Sequence, residues 1–169
     1  YCRFISLLEK EKGNQQNLRI LDYGSGDGFL SRILLQKGYK DITCCDFFLP
    51  EVRDRRVKFI YPKQIYLYQE KFDVVFMINS IEHLSSFKKD FSLIVSSMNT
   101  NSCLIIETPN MASIDSILFG KYWGGLHQPR HTFLWERKTL IKHLNSFSFD
   151  CKYKGSPQSA HWAISLQNI

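Results

Sequence analysis

Residues 21–28 read Leu-Asp-Tyr-Gly-Ser-Gly-Asp-Gly. A short apolar segment precedes this stretch, and residues 29–35 after it have the apolar spacing of a helix. The pattern predicts a strand, a glycine turn and a helix. Gly24, Gly26 and Gly28 permit positive φ and leave bare backbone against a ligand, while the helix N-terminus offers free N–H groups. A nucleotide-like cofactor fits such a turn.

The glycine spacing separates this turn from a dinucleotide fingerprint. G-x-G-x-x-G would need its third glycine at position 29, which is Phe29. The chain instead has Asp22 at the strand end, followed by glycine at 24, 26 and 28. This arrangement resembles motif I of the class I S-adenosylmethionine-dependent methyltransferases. In that family the acidic residue orients the glycine loop, and the loop packs against the methionine part of the cofactor.

Two later segments extend the resemblance over about residues 1–110. Residues 41–46, Asp-Ile-Thr-Cys-Cys-Asp, predict a second strand that ends in an acid. Nucleotide-binding α/β folds place a ribose-binding carboxylate roughly 20 residues after the glycine loop. Residues 71–84 have the continuous apolar core of a central parallel strand and lead into Glu-His-Leu, as in the fourth-strand motif of the family.

The resemblance implies S-adenosylmethionine as cofactor and S-adenosylhomocysteine as product. Asp46 is predicted to bind the ribose and Phe47 to cover one face of the adenine. The full set of predicted cofactor-binding residues is Asp22, Gly24, Ser25, Gly26, Gly28, Asp46, Phe47 and Asn79.

The order of the predicted elements indicates a single domain over residues 1–169. Strands are predicted near 18–22, 42–46, 57–60, 72–78 and 102–107, and helices near 3–11, 29–37, 87–98 and 136–145. This alternation implies an α/β fold with a parallel sheet and right-handed crossovers. The resemblance implies the Rossmann-like methyltransferase fold, a mostly parallel seven-stranded sheet with helices on both faces. A C-terminal antiparallel hairpin near 148–154 and 162–167 is expected to close it.

The segment of about residues 108–135 is expected to be irregular and to form the acceptor site. Loops after the carboxyl ends of strands border the ligand crevice in open α/β sheets. Residues 123–131, Trp-Gly-Gly-Leu-His-Gln-Pro-Arg-His, resemble a bacterial subgroup related to the ubiquinone-biosynthesis O-methyltransferases. On this basis Tyr122 and Trp123 are predicted to be apolar walls and Arg130 an anion anchor. Glu82 is expected to contact the acceptor, and Trp135 to pack the loop down.

Methyl transfer to a hydroxyl requires removal of its proton, unless the acceptor already carries a nucleophile of low pKa. His83 and His131 are the predicted catalytic bases. His127 and His143 are expected to be structural or exposed.

Two alternatives stay open. Glu82-His83 with His131 also resembles the metal site of small-RNA 2′-O-methyltransferases, where Glu-x-x-Glu-His and a later His hold a divalent ion. Asn79 stands here in place of the first glutamate, and loss of an anionic ligand weakens a site for a hard cation. We therefore expect no metal, and a small-molecule acceptor over nucleic acid. The second alternative is a cofactor-binding protein without catalysis, which the intact glycine turn and Asp46 argue against.

Composition agrees with a single α/β enzyme domain. The 169 residues, 44% of them hydrophobic, suffice for one core. No stretch reaches the roughly 18 to 20 apolar residues that span a bilayer. Five cysteines without a C-x-x-C pair indicate reduced thiols in a cytoplasmic protein. The positive residues are scattered along the chain. Their net charge of +6 favours an anionic acceptor bearing phosphate or carboxylate. Oligomeric state and acceptor identity do not follow from these patterns.

Overall fold

The computed structural model describes residues 1–51, 53–154 and 161–168, with only the backbone for 153–154 and 161–168. In this part of the chain the strands are β1 Arg19–Tyr23, β2 Asp41–Cys45, β3 Lys58–Ile60, β4 Phe72–Ile78, β5 Met98–Pro109, β6 Phe149–Lys154 and β7 His161–Asn168. The α-helices are α1 Cys2–Lys12, α2 Phe29–Gln36, α3 Phe87–Ser96, α4 Ile114–Phe119 and α5 Arg137–Asn145. Short 3₁₀ helices cover Pro62–Leu67, Ile81–His83, Gly120–Tyr122 and Gly124–Leu126.

The strands form one sheet in the order β3-β2-β1-β4-β5-β7-β6. The first five are parallel to one another, which confirms the predicted Rossmann-like α/β fold with a parallel sheet. β7 lies antiparallel between β5 and β6. The turn of the predicted hairpin, at residues 155–160, lies outside the described residues, as do positions 52 and 169 of the predicted domain.

Helices cover both faces of the sheet, because the central strands are apolar on both sides. In β4, residues 74–77 are fully buried. On one face Val75 joins a core with α3 and α5; on the other Val74 and Phe76 join a core with α1 and α2. Such burial leaves the carboxyl edge of the sheet as the place where polar side chains gather.

The structure corrects two predicted boundaries. β5 begins at Met98, where residues 102–107 were predicted, since Met98 pairs with Phe72 before a register shift. The polar run at 99–102 hides this first part from an apolar pattern. The acceptor segment, expected to be irregular, contains α4, whose N-cap Ser113 accepts a hydrogen bond at Oγ from the Ser116 N–H at 3.0 Å.

No helix in the described part of the chain is long and apolar enough to cross a membrane.

Candidate active site

The predicted glycine turn follows β1 at the carboxyl edge of the sheet. Gly24, Gly26 and Gly28 all have positive φ, between 53° and 77°. The Gly24 N–H donates to the Cys45 carbonyl at 2.8 Å, which ties the turn to β2. A Cβ at Gly24 would overlap the Cβ of Ser80, whereas a Cβ at Gly26 would meet no described atom within 4 Å. Gly24 therefore packs against the protein, and Gly26 faces open space.

Asp46 shapes the same turn from the end of β2. Its Oδ2 accepts the Gly26 N–H at 2.8 Å, and its Oδ1 accepts the Phe48 N–H at 3.1 Å. The adjacent Phe47 side chain is 62% exposed. Charge-assisted bonds to backbone N–H groups fix both the carboxylate and the turn. The ribose and adenine roles of Asp46 and Phe47 stay predictions.

A cavity of about 330 Å³ lies between the turn and the ends of β2 and β4. Five predicted site residues line it, from the three segments that follow β1, β2 and β4: Gly24, Asp46, Phe47, Asn79 and His83. Sequence reasoning missed the remaining lining residues, which are Tyr23, Cys45, Phe48, Pro62, Ser80 and Leu84. Ser80 could have been predicted, because it follows β4 at the same edge of the sheet as the glycine turn, and ligands of open α/β sheets bind at that edge.

Buried polar atoms around the turn lack protein partners. Asp22 Oδ2, Ser25 Oγ and Ser80 Oγ make no hydrogen bond to any described residue. Native buried polar groups are almost always paired with protein, water or ligand. With the open face of Gly26, these atoms fit a polar cofactor laid along the turn.

Asp22 is 3% exposed at the end of β1. Burial, with the charges of Asp46 and Asp27 adding to it, raises the pKa of Asp22 from 3.8 to about 7. Folding above pH 3.8 therefore takes an ionised carboxylate from the unfolded chain into a site that favours its protonated form.

Asp22→Asn is expected to stabilise the protein in a pH-dependent manner. Below pH 3.8 Asp22 is protonated in both the folded and the unfolded protein, so the variant gains no stability. As the pH rises towards 7, Asp22 ionises first in the unfolded protein, and the wild type loses stability. The difference in unfolding free energy should reach at most about 4 kcal/mol above pH 7. Urea unfolding at pH 4 and pH 8 measures it. Asp27→Asn is the control of opposite sign, because the Arg32 hydrogen bond lowers the pKa of Asp27. An equal gain for Asp22→Asn at both pH values would contradict the argument.

Glu82 links the end of β4 to the acceptor segment. Its carboxyl group is buried, accepts the Thr108 hydroxyl at 2.9 Å through Oε2, and has no described partner at Oε1. Its backbone carbonyl accepts the N–H groups of Thr132 and Phe133 at 2.9 and 3.1 Å. Burial raises the pKa of Glu82. The residue predicted to contact the acceptor thus holds the segment in place.

The two predicted bases, His83 and His131, lie side by side, with ring centroids 4.8 Å apart. His83 Nδ1 is 2.9 Å from the Arg130 carbonyl, and His131 Nδ1 is 2.8 Å from the Gly125 carbonyl. Because a carbonyl only accepts, both Nδ1 atoms carry the proton and both Nε2 atoms keep a lone pair in the neutral ring. Burial, with His83 nearby, lowers the pKa of His131. His83 lines the cavity, whereas His131 is not among the described residues that line it.

The acceptor segment places its predicted residues unevenly. Tyr122 is 81% exposed, and Trp123 is buried at 7%. The backbone of Gly125 lies so close to the Trp123 indole that a Cβ there would overlap the ring. Trp123 therefore packs within the segment, and the wall roles of Tyr122 and Trp123 stay predictions. Arg130 is exposed and touches His83 through its carbonyl. Tyr122, Trp123 and Arg130 are not among the described residues that line the cavity.

Trp135 packs the segment against the core, as predicted. It is 5% exposed, stacks on Phe133 at 5.4 Å between centroids, and meets Phe87 edge-on at 5.0 Å. Such aromatic contacts stabilise beyond their buried area.

Glu82, His83 and His131 also form a group with metal-ligating chemistry. Each offers one ligand atom, and these atoms lie within 4.8 Å of one another. The unpartnered Glu82 Oε1 and the two Nε2 lone pairs fit a divalent ion. The sequence pattern predicts no metal here, and elemental analysis of the purified protein tests that prediction.

The chain matches the family described as methyltransferase domain over residues 1–152. No curated protein sequence matches it.

Three solved structures are similar throughout. Magnesium protoporphyrin IX methyltransferase from Synechocystis PCC 6803, with bound SAH, has 16% identity and a TM-score of 0.71, over 99% of this chain and 81% of that one. A SAM-dependent methyltransferase from Archaeoglobus fulgidus has 17% identity and a TM-score of 0.72, over 98% of this chain and 91% of that one. The third is 1,6-didemethyltoxoflavin-N1-methyltransferase from Burkholderia thailandensis, with bound 1,6-didemethyltoxoflavin and S-adenosylhomocysteine. It has 14% identity and a TM-score of 0.70, over 96% of this chain and 75% of that one. At such identities the likeness establishes the fold.

Proposed function

The chain belongs to the methyltransferase-domain family and is an S-adenosylmethionine-dependent methyltransferase, and we propose that it methylates an oxygen of a small-molecule acceptor. The acceptor class is a sugar, a quinone-like ring or a comparable metabolite. One observation carries the proposal: His83, with a free Nε2, lines the same cavity as Gly24 and Asp46. A base and the cofactor turn thus face one space.

The cofactor half of the site is assigned to the glycine turn and the end of β2. S-adenosylmethionine supplies, when bound, an electrophilic methyl group on a sulfonium. In the proposal the backbone of Gly24 contacts the cofactor, Gly26 leaves room for its methionine part, Asp46 binds the ribose, and Phe47 covers the adenine. The unpartnered oxygens of Asp22, Ser25 and Ser80 support a polar ligand at this position.

The acceptor half is assigned to His83 and its neighbours. His83 Nε2 takes the proton of the acceptor hydroxyl, and the Arg130 carbonyl keeps the ring in the tautomer that allows it. His131, whose ring centroid lies 4.8 Å from that of His83, is the second base candidate. The exposed guanidinium of Arg130 and the net charge of +6 support an anionic acceptor.

Finer parts of the assignment belong to the same proposal. The likeness of residues 123–131 supports a subgroup related to ubiquinone-biosynthesis O-methyltransferases, in the cytoplasm. The pairing of β5 with β7 and of β7 with β6 supports a seven-stranded sheet closed by an antiparallel hairpin.

The three-residue group of Glu82, His83 and His131 favours a second candidate function, metal-dependent methylation of an RNA 2′-hydroxyl. In that case the two imidazoles would hold a divalent ion with the Glu82 carboxylate, and neither would act as a base. The buried Glu82 Oε1 without a described partner is the observation in its favour.

Labelled methyl transfer separates these functions. We expect the protein to bind S-adenosylmethionine, to methylate members of a panel of phenols, catechols and sugars, and to keep that activity after dialysis against EDTA. Elemental analysis of the purified protein should show no stoichiometric transition metal. Activity on short RNA that EDTA removes and Mn²⁺ restores would establish the second function instead. Cofactor binding without turnover on any acceptor would favour a non-catalytic protein.

A further inference from the structure

The backbone N–H groups of the glycine turn are already used within the protein. Gly24 and Ser25 donate to the Cys45 carbonyl at 2.8 and 3.3 Å, Gly26 donates to Asp46 Oδ2 at 2.8 Å, and Gly28 donates to the Ser25 carbonyl at 2.9 Å. The N–H of the remaining turn residue, Asp27, contacts the carboxylate of the same residue. Each N–H group has one proton to donate. An anionic group of a ligand at this turn must therefore be recognised by side chains.

The methionine part of S-adenosylmethionine carries an ammonium and a carboxylate. Oxygen acceptors for the ammonium are present at this edge of the sheet, including Asp22 Oδ2, which has no hydrogen-bond partner among the described residues. The carboxylate needs donors, but the described residues that line the cavity include no Lys or Arg. The neutral side-chain donors that line it are the hydroxyls of Tyr23 and Ser80 and the amide of Asn79.

Ser80 is the donor that lies against the turn. A Cβ built at Gly24 would overlap the Ser80 Cβ and lie 3.1 Å from its Oγ. Ser80 is 5% exposed, and its Oγ has no hydrogen-bond partner among the described residues. Because no hydrogen bond holds the hydroxyl in its enclosed position, rotation about χ1 towards the cavity breaks none. A buried hydroxyl without a partner is unfavourable, so a ligand that pairs with it gains affinity.

We propose that the Ser80 hydroxyl donates a hydrogen bond to the carboxylate of the cofactor's methionine part, and so favours S-adenosylmethionine over its decarboxylated form. The proposal rests on the placement of the cofactor along the glycine turn in the proposed function. A hydrogen bond to an ionised acceptor is stronger than one between neutral groups. The Ser80 carbonyl also accepts the His83 N–H at 3.0 Å, so one short turn would hold both the cofactor and the base.

Isothermal titration of Ser80→Ala with two ligands tests the proposal without an acceptor. The ligands are S-adenosylmethionine and decarboxylated S-adenosylmethionine, which lacks only the carboxylate. We expect the Kd for S-adenosylmethionine to rise about tenfold or more in Ser80→Ala. The Kd for the decarboxylated ligand should stay within about twofold of the wild-type value, because that ligand has no carboxylate for the hydroxyl to bind.

Ser102→Ala is the matched control. Ser102 is 1% exposed in β5, its Oγ also lacks a described partner, and it is not among the described residues that line the cavity. Both Kd values should stay at the wild-type level in this variant. In each variant the unfolding midpoint of the ligand-free protein should equal or exceed that of the wild type, because removal of an unpartnered buried hydroxyl breaks no hydrogen bond.

Three results would overturn the assignment of Ser80. The first is an unchanged Kd for S-adenosylmethionine in Ser80→Ala. The second is an equal loss of affinity for both ligands, which would place the hydroxyl on another part of the cofactor. The third is a lowered unfolding midpoint in Ser80→Ala alone, which would show that the hydroxyl is already paired within the protein.

These results are separable from failure of the proposed function. A lack of turnover on every small-molecule acceptor would contradict the proposed function and leave the expected Kd values of Ser80→Ala as they are. Wild-type protein that binds neither ligand would overturn the placement of the cofactor and the role of Ser80 together.

Discussion

Gly26→Val is expected to abolish S-adenosylmethionine binding in a protein that still folds. The backbone at Gly26 has φ 53°, and a Cβ there would meet no described protein atom within 4 Å. The new side chain would therefore enter the space assigned to the cofactor, without disturbing the core. We expect the Kd to rise by about 100-fold or more, a loss of at least about 2.7 kcal/mol of binding free energy. Isothermal titration with S-adenosylmethionine and S-adenosylhomocysteine measures it.

Gly13→Val is the matched control for Gly26→Val. Gly13 has φ 67° and equally open surroundings, but it ends α1 and does not belong to the glycine turn. Both substitutions place a branched residue at positive φ, at a cost of roughly 1 to 2 kcal/mol in stability. Only Gly26→Val should lose affinity. Wild-type affinity in Gly26→Val, or equal losses in both, would remove the glycine turn from cofactor binding. Gly24→Val is a poorer probe, because its Cβ would overlap Ser80.

The second large effect is expected from His83→Ala, which should lower kcat by roughly 10² to 10⁴ while cofactor affinity stays near wild type. His83 lines the cavity, and its Nε2 lone pair is left free by the bond from Nδ1 to the Arg130 carbonyl. Single-turnover methyl transfer, with affinity measured in parallel, separates chemistry from binding. His143→Ala is the matched control: this histidine is exposed on α5 and lies outside the cavity lining.

His131→Ala refines the assignment. If His83 is the base and His131 only its neighbour, His131→Ala should lose less activity than His83→Ala. The limb of the kcat/KM profile at low pH, where activity rises as the base loses its proton, should then persist in His131→Ala and disappear in His83→Ala. Undiminished kcat in His83→Ala would refute general-base catalysis by this residue. Loss of a bound metal ion in both variants would instead support the metal-dependent alternative.

Patterns local in sequence predicted most of the fold and the position of the glycine turn and Asp46 at one edge of the sheet. The glycine turn needs its φ values whatever packs around it, and the apolar run of β4 requires burial on both faces. Contacts between distant residues were beyond such patterns. Nothing near Gly24 indicates that Ser80 fills the space beside it, and no local feature of Trp123 shows that Gly125 will close over its ring.

The histidines show the same difference between what a local pattern predicts and what depends on distant residues. Their residue type and position at the carboxyl edge of the sheet were readable from the sequence. Which nitrogen is free depends on the carbonyls of Arg130 and Gly125. Those carbonyls are positioned by a segment that reaches His83 only after the chain has crossed β5 and α4. The chemistry of the predicted base was therefore decided by tertiary structure.

The attachment of residues 132 and 133 to the Glu82 carbonyl has a consequence for how this enzyme changes over evolution. That junction anchors the far end of the acceptor segment through two backbone N–H groups, and the Thr132 hydroxyl adds hydrogen bonds to the Glu82 and Leu84 carbonyls. The stretch between Asn110 and Trp123 can accordingly be exchanged or lengthened while both histidines keep the carbonyls of Gly125 and Arg130 that support them. Sequence changes confined to that stretch would then alter which acceptor binds, while the cofactor site stays the same.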